Sequence, residues 1–209
     1  MESEKLRELY AQAKYEEGLS FLETSSLKRK KTNRLLYLME KGSLLYAQGN
    51  YPQAISIFEE SNVLVDRLYT KSIKEKILSS FMPKESETFY GRVFERSMIY
   101  YYLSLSYYQE FRKTQETKFL NQSRATLLAW DSFFKEISRG SRTFLSFEIF
   151  HKVFAAEQHE AYGTRKDEQI ALILYKDALK LLEKFGPSFQ SFNKKFYQLY
   201  FGVFLLQIL

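Results

Sequence analysis

The sequence predicts an all-α fold, and three properties of its 209 residues lead to that prediction. Eight glycines and three prolines are too few for the many turns of an all-β fold. Hydrophobic residues make up 45% of the chain, enough for a continuous core at this length. A pattern of small and large residues also recurs at helical spacing. These properties together indicate long helices joined by short connections.

The recurring pattern is a small residue, a large one four positions later, and a second small one three positions after that. Such residues share one face of a helix, where the small ones let a neighbouring helix approach and the large one fills the gap. The first two copies lie 36 residues apart, close to the period of about 34 in tetratricopeptide (TPR) helix pairs. We therefore expect a TPR-like solenoid of about four helix pairs in a single domain, residues 1–209. The copies are Gly18-x-x-x-Leu22-x-x-Ser25, Ala54-x-x-x-Phe58-x-x-Ser61 and Ala171-x-x-x-Tyr175-x-x-Ala178.

Capping residues and helix-breaking residues predict where the first helices begin and end. Thr32 or Asn33 can cap a helix that Gly49-Asn50 ends. Pro52 then occupies the first turn of the next helix, where its missing N–H costs nothing. The predicted helices of this part span 3–12, 14–25, 33–48 and 52–69.

An insertion near 70–90 interrupts the repeat spacing. Residues 70–81 predict a further short helix, and the polar stretch 82–89 predicts a loop. Loops on a rigid scaffold often carry function, so this loop is a candidate for a specialised role.

The second half continues with helices over 91–111, 116–137 and 143–162. On the helix over 116–137, the packing face is predicted to contain Ala125, Ala129 and Ser132, with Trp130 or Leu128 filling the space of the large residue. The last pair ends with a helix that Thr164-x-x-Asp167 caps and Gly186-Pro187 stops.

The final segment, 188–209, is apolar on all sides from Phe196 onward, apart from Gln198 and Gln207. A helix of this kind must be covered. We expect it to support self-association, to hold a partner, or to continue into C-terminal repeats that this chain lacks.

Positive charge concentrates in one place, although the net charge of the whole chain is +6. A basic patch can attract anionic lipid or nucleic acid. Because the patch has no interleaved aromatic residues, nucleic acid is the weaker of the two, and peripheral membrane contact is the alternative to keep. The patch consists of Lys28, Arg29, Lys30, Lys31 and Arg34.

Tyrosines concentrate on the helix over 91–111, which is the first helix of its pair. First helices line the concave face of TPR solenoids, so an aromatic groove there can accept a peptide or a helix. The predicted partner-binding residues are Tyr100, Tyr101, Tyr107 and Tyr108.

No pattern in the chain predicts chemistry. There is no cysteine, and we find no phosphate-binding glycine loop, serine elbow or zinc motif. The two histidines, His151 and His159, are eight residues apart, whereas metal ligands on one helix prefer a spacing of three or four. We therefore expect no catalytic residue, no cofactor and no metal, and a function in binding another protein.

Several segments resemble an uncharacterised family of bacterial TPR-like envelope proteins, many of them predicted lipoproteins. The resemblance covers most of residues 33–182 and implies a TPR-like fold at the bacterial cell envelope. The absence of a secretory signal predicts the cytoplasm by default. No established activity of the family can be carried over. The segments are Leu38-Met39-Glu40-Lys41-Gly42, Leu68-Tyr69-Thr70-Lys71-Ser72-Ile73, Tyr90-Gly91 with Phe94-Glu95, and KVFAAEQHEAYGTRKDEQIALILYKDAL.

Overall fold

The structure is a computed structural model that describes residues 2–78, 93–137 and 145–185. All regular structure in these ranges is helical, which confirms the all-α prediction. The helices are α1 (Glu2–Ala11), α2 (Tyr15–Thr24), α3 (Ser26–Arg29), α4 (Arg34–Ala47), α5 (Tyr51–Leu78), α6 (Val93–Thr114), α7 (Thr117–Ile137), α8 (Leu145–Tyr162) and α9 (Arg165–Phe185), with a 3-10 turn at Lys31–Asn33.

Contacts divide the chain into two compact units, 1–139 and 140–209. In the first unit α1 packs on α2, α4 on α5, and α6 on α7, and α5 also packs on α6. In the second unit α8 packs on α9. Consecutive helices therefore pair as predicted in the described ranges. The arrangement of all pairs in one solenoid stays a prediction, as does the single domain 1–209.

The small–large–small patterns form the helix contacts. All nine of their residues are buried. Phe58, at 1% exposure, belongs to a core that α4, α5 and α6 share. Tyr175 forms the corresponding core of the second unit, together with Ala156 and Ala171. The periodicity therefore identified the buried faces of α2, α5 and α9 correctly.

The predicted small residues of the α7 packing face are wrong, because Ala125, Ala129 and Ser132 are exposed. Of the two residues predicted to fill the space of the large residue, Trp130 has no exposed surface, which confirms it, whereas Leu128 is 67% exposed. The small residue on the buried face of α7 is Ser123.

Ser123 brings α6 and α7 together. It is fully buried, and its hydroxyl donates to the backbone carbonyl of Ser104 across 2.8 Å. A serine whose hydroxyl is satisfied in this way permits close helix approach as alanine does. This explains why the alanines of α7 are not needed at the contact.

Two predicted boundaries also differ from the structure. The predicted separate helix 70–81 is wrong, because α5 continues without a break to Leu78; no glycine or proline interrupts this part of the sequence. Asn33 gives α4 no side-chain cap, because the preceding 3-10 turn runs directly into the helix. The predicted loop 82–89 and the final segment 188–209 lie outside the described residues.

Candidate functional site

Two of the four predicted tyrosines lie in helix contacts. Tyr107 is 6% exposed and donates from its hydroxyl to the carboxylate of Glu59 on α5. Burial, together with this bond, raises its pKa. Tyr100 stacks on Trp130 with ring centroids 6.4 Å apart and also contacts Phe133. Tyr107 is therefore buried, whereas Tyr100 is half-buried.

The other two tyrosines, Tyr101 and Tyr108, are half-buried on a different side of α6. Tyr108 stacks on Phe111, one turn nearer the helix end. Tyr101 meets the ring of Tyr102 edge to face, with centroids 5.2 Å apart. Tyr101 thereby belongs to a larger cluster.

The cluster brings together tyrosines of three helices, and we call it the tyrosine face. It consists of Tyr10 on α1, Tyr46 on α4, and Tyr101 and Tyr102 on α6. The rings of Tyr46 and Tyr102 are 5.4 Å apart and nearly perpendicular. Tyr102 also stacks on Phe58 at 5.4 Å, with ring planes only 2° apart. Packing on the core residue Phe58 therefore holds the ring of Tyr102 in place.

The hydroxyl groups of the face lie close to one another. Burial raises the pKa of Tyr46 to about 12, and the nearby hydroxyls of Tyr51 and Tyr101 add to the effect. Burial also raises the pKa of Tyr102, and a hydrogen bond to Tyr10 acts in the same direction. These phenols stay neutral at physiological pH and keep their O–H groups as donors.

Tyr10 is the most solvent-exposed member of the tyrosine face. Its side chain is 39% exposed, whereas the other members are only partly accessible. It meets Tyr15 edge to face at 5.6 Å, and the rings of Tyr46 and Tyr51 meet at 5.5 Å in a tilted arrangement. These two pairs have the same spacing and are 36 residues apart, the same offset as the packing pattern. That repeat is the sequence signal that would have found Tyr10 and Tyr46.

Charged side chains also lie on the helices that supply the face. Burial raises the pKa of Glu40 on α4, and the positive charge of Arg7 on α1 acts against that shift. Lys113, near the end of α6, lies over the ring of Tyr51 at 4.4 Å and donates to the carbonyl of Gly49 across 2.7 Å. This lysine ties the turn between α4 and α5 to α6.

The basic patch has acidic neighbours. Lys28 forms an ion pair with Glu23, and Arg34 pairs with Glu60 at 2.7 Å. All five cations of the patch are exposed. These two ion pairs partly offset the positive charge of the patch at Lys28 and Arg34.

One histidine forms a buried pair in the second unit. The His159 Nδ1 atom lies 2.8 Å from a carboxylate oxygen of Asp167, which is 2% exposed. Thr164 donates to the other oxygen and accepts from the Asp167 backbone N–H, so the predicted cap is confirmed. Among the described residues no group of three or more possible ligands is placed to hold a metal. The contact between His159 and Asp167 joins α8 to α9.

No protein-family model, curated protein or solved structure matches this chain. Within the described ranges, no helix combines the length and apolar character that crossing a bilayer requires. The chain is thus defined by its fold class, an all-α protein of paired helices, and by the tyrosine face.

Proposed function

We propose that this chain is a non-catalytic scaffold or adaptor that binds a segment of another protein through the tyrosine face. The observation that carries the proposal is the convergence of four tyrosines from α1, α4 and α6, with Tyr10 39% exposed at its edge.

Tyrosine has the chemistry that such a surface needs. Its ring gives a large apolar contact area, and its hydroxyl supplies one directional hydrogen bond. Aromatic residues accordingly dominate the energetic centres of protein interfaces. Phe58 and Tyr102 stack in the core below, so a partner meets a surface whose rings are already ordered. Pre-ordering reduces the entropy cost of binding.

The order of the helices supports the same proposal. In a TPR-like solenoid, the first helices of successive pairs line one face. Here α1, α4 and α6 are the first helices of their pairs, and they supply the whole tyrosine face. The family resemblance would place this binding at the bacterial cell envelope, a location that cell fractionation tests.

Site-directed photo-crosslinking tests the proposal. A photoreactive phenylalanine replaces Tyr10 in the full chain, and crosslinked peptides of any captured protein are mapped. The control position is Leu128, which is 67% exposed on α7 and outside the face. We expect crosslinks from position 10 to converge on one segment of one partner.

The mapped segment is then prepared and titrated against purified protein. Tyr10→Ala should weaken its binding at least about tenfold, as expected for an aromatic anchor. Equal crosslinking from positions 10 and 128, or an unchanged affinity in the variant, would show that the tyrosine face is not the binding surface.

A further inference from the structure

We propose that the exposed side of α9, in the second unit, is a docking surface for an anionic membrane. The inference goes beyond the proposed function, because α9 supplies no residue to the tyrosine face. It follows from the apolar and charged side chains that this helix presents to solvent.

Two large apolar side chains in the middle of α9 are more than half exposed. The exposed fraction is 52% for Leu172 and 58% for Ile173, whereas Ala171, Tyr175 and Ala178 of the same helix are buried. One side of α9 is therefore already packed, and Leu172 and Ile173 belong to the other. Moving either of them out of water would be favourable.

Lysines continue the row that Leu172 begins. Side chains four residues apart form a ridge along a helix, and Lys176, Lys180 and Lys184 follow Leu172 at this spacing, all of them exposed. Like charges at this spacing repel one another, so an anionic partner would relieve the repulsion. We call Leu172, Ile173 and these three lysines the α9 ridge.

The exposed side of α9 carries more cations than acids. Asp167 does not contribute to it, because its carboxylate is buried against His159. Asp177 offsets one lysine, since its carboxylate lies 3.2 Å from the Lys180 Nζ atom. The charge that complements this side is therefore negative. Its cations are Arg165, Lys166, Lys176, Lys180 and Lys184, and its acids are Glu168, Asp177 and Glu183.

The shape of the α9 ridge favours a membrane over a peptide. A helical peptide docks into a hydrophobic groove, and the walls of a groove cover its lining side chains. Leu172 and Ile173 instead project from one helix at more than half exposure. At a bilayer surface such side chains enter the boundary of the acyl chains, while lysines keep their ammonium groups among anionic headgroups.

The exposed leucine of α7 provides a comparison. Leu128 is 67% exposed, more than Leu172. Arg124 precedes it in its row, and Ser132 and Glu136 follow, so that row has no excess of cations. Exposure alone therefore does not distinguish α9; the combination with lysines does.

Vesicle flotation with the full chain tests the proposal. One vesicle is phosphatidylcholine alone, and the other is an equimolar mixture with phosphatidylglycerol. We expect binding to the anionic vesicle, weakened about tenfold by Leu172→Gln and about fivefold by Lys176→Gln. The matched controls on α7, Leu128→Gln and Lys118→Gln, should leave it unchanged, since both residues are exposed outside the α9 ridge.

A fluorescent label reports which helix meets the lipid. The chain has no cysteine, so Gln169→Cys gives one site for an environment-sensitive dye, one turn before Ile173. Gln122→Cys is the matched control, because Gln122 is an exposed glutamine on α7. We expect anionic vesicles to shift the dye emission to the blue at position 169 and to leave it unchanged at position 122. Circular dichroism checks that every variant folds.

The basic patch is a competing source of vesicle binding. A chain with Arg29, Lys30 and Lys31 changed to glutamine should keep the dye response at position 169. Loss of that response, with normal binding of the Leu172 and Lys176 variants, would overturn the proposal.

Other results would overturn the proposal as well. These are no vesicle binding, equal binding to the neutral vesicle, or equal dye responses at positions 169 and 122. A dimer that Leu172→Gln dissociates in light scattering, or an equal dye response to a polyglutamate peptide, would assign the α9 ridge to a protein partner instead. None of these results bears on the tyrosine face, which the crosslinks from position 10 test separately.

Discussion

The ring of Phe58 lies so close to Gly42 that a Cβ atom at position 42 would stand 2.6 Å from its Cζ atom. The ring cannot move away freely, since Tyr102 stacks on it in nearly parallel planes. The backbone of α4 approaches α5 closely because position 42 has no side chain. One glycine thus fixes the ring that supports the tyrosine face.

Gly42→Ala should destabilise the first unit by about 1 to 3 kcal/mol, the usual effect of overpacking a core. Gly18→Ala is the matched comparison, because its Cβ would meet only the flexible end of Leu44, at 3.0 Å. At position 18, the higher helix propensity of alanine, about 1 kcal/mol, should offset the cost of the close contact with Leu44. Thermal melts of both variants measure the contrast. Equal midpoints would contradict the account of Gly42.

The second unit allows a similar test. Ala171 is 2% exposed and packs with Ala156 and Tyr175. Ala171→Leu should cost about 1 to 3 kcal/mol, because the added methyl groups have no space. Leu172→Ala, at a neighbouring site that is 52% exposed, should change stability by less than about 0.5 kcal/mol. A melt in which the exposed substitution has the larger effect would refute the assigned buried face.

The cap of α9 should also be measurable. Thr164→Ala removes the hydroxyl that accepts from the Asp167 N–H and should cost about 0.5 to 2 kcal/mol. Asp167→Ala should cost more, because it also leaves His159 without its buried carboxylate. Urea denaturation followed by circular dichroism gives both values. The reverse order would show that the cap, rather than the His159 pair, holds the helix junction.

The stability of the folded chain should depend on pH through Glu23. Hydrogen bonds from Lys28, Lys41 and Tyr37 lower its pKa to about 2. A lowered pKa stabilises the folded state above the unfolded-state value of about 4.3, and the contribution is lost as the pH falls toward 2. Glu23→Gln should therefore reduce stability at pH 7, by less than about 1 kcal/mol because Glu23 is 37% exposed.

The difference between Glu23→Gln and the unaltered chain should shrink progressively below about pH 4. Glu17→Gln is the control, since Glu17 is exposed on the same helix. Melting curves across this range measure both variants. A difference that stays constant down to pH 2, or an equal effect of the control, would rule out the proposed role of Glu23.

The alternative function, docking of the basic patch on anionic membrane or nucleic acid, predicts a steep salt dependence. Binding to duplex DNA through Arg29, Lys30 and Lys31 should give a log–log salt slope of about −3, from about 0.9 per phosphate contact. Neutralising these three should abolish the binding, whereas Lys28→Gln should matter less because Lys28 pairs with Glu23. Anionic vesicles serve as the second probe. No binding to either at about 50 mM salt would eliminate this alternative.

The sequence predicted the buried faces of α2, α5 and α9 because helical periodicity is a local property. It failed on α7, where two faces carry small residues. There the choice depended on whether Ser123 could satisfy its hydroxyl on a neighbouring helix, a contact that periodicity does not contain. Contacts between helices therefore decide which face of α7 is buried.

The site was harder to predict for a geometric reason. Successive residues of a helix point about 100° apart, so the run of three tyrosines on α6 faces three directions. Tyr100 turns to α7, whereas Tyr101 and Tyr102 belong to the tyrosine face, and Tyr102 also stacks on Phe58. The partners that select among them, Tyr10 and Tyr46, are distant in sequence. Only their shared offset from Tyr15 and Tyr51 indicates them.

Trp130 is the single tryptophan of the chain, and it is fully buried between Tyr100 and Phe134. Its fluorescence therefore reports on its surroundings in the first unit, while far-ultraviolet circular dichroism reports on helices of both units. Recording the two signals on one sample during denaturation would show whether residues 1–139 and 140–209 lose structure together or in sequence. The protein thus carries its own optical probe of folding cooperativity.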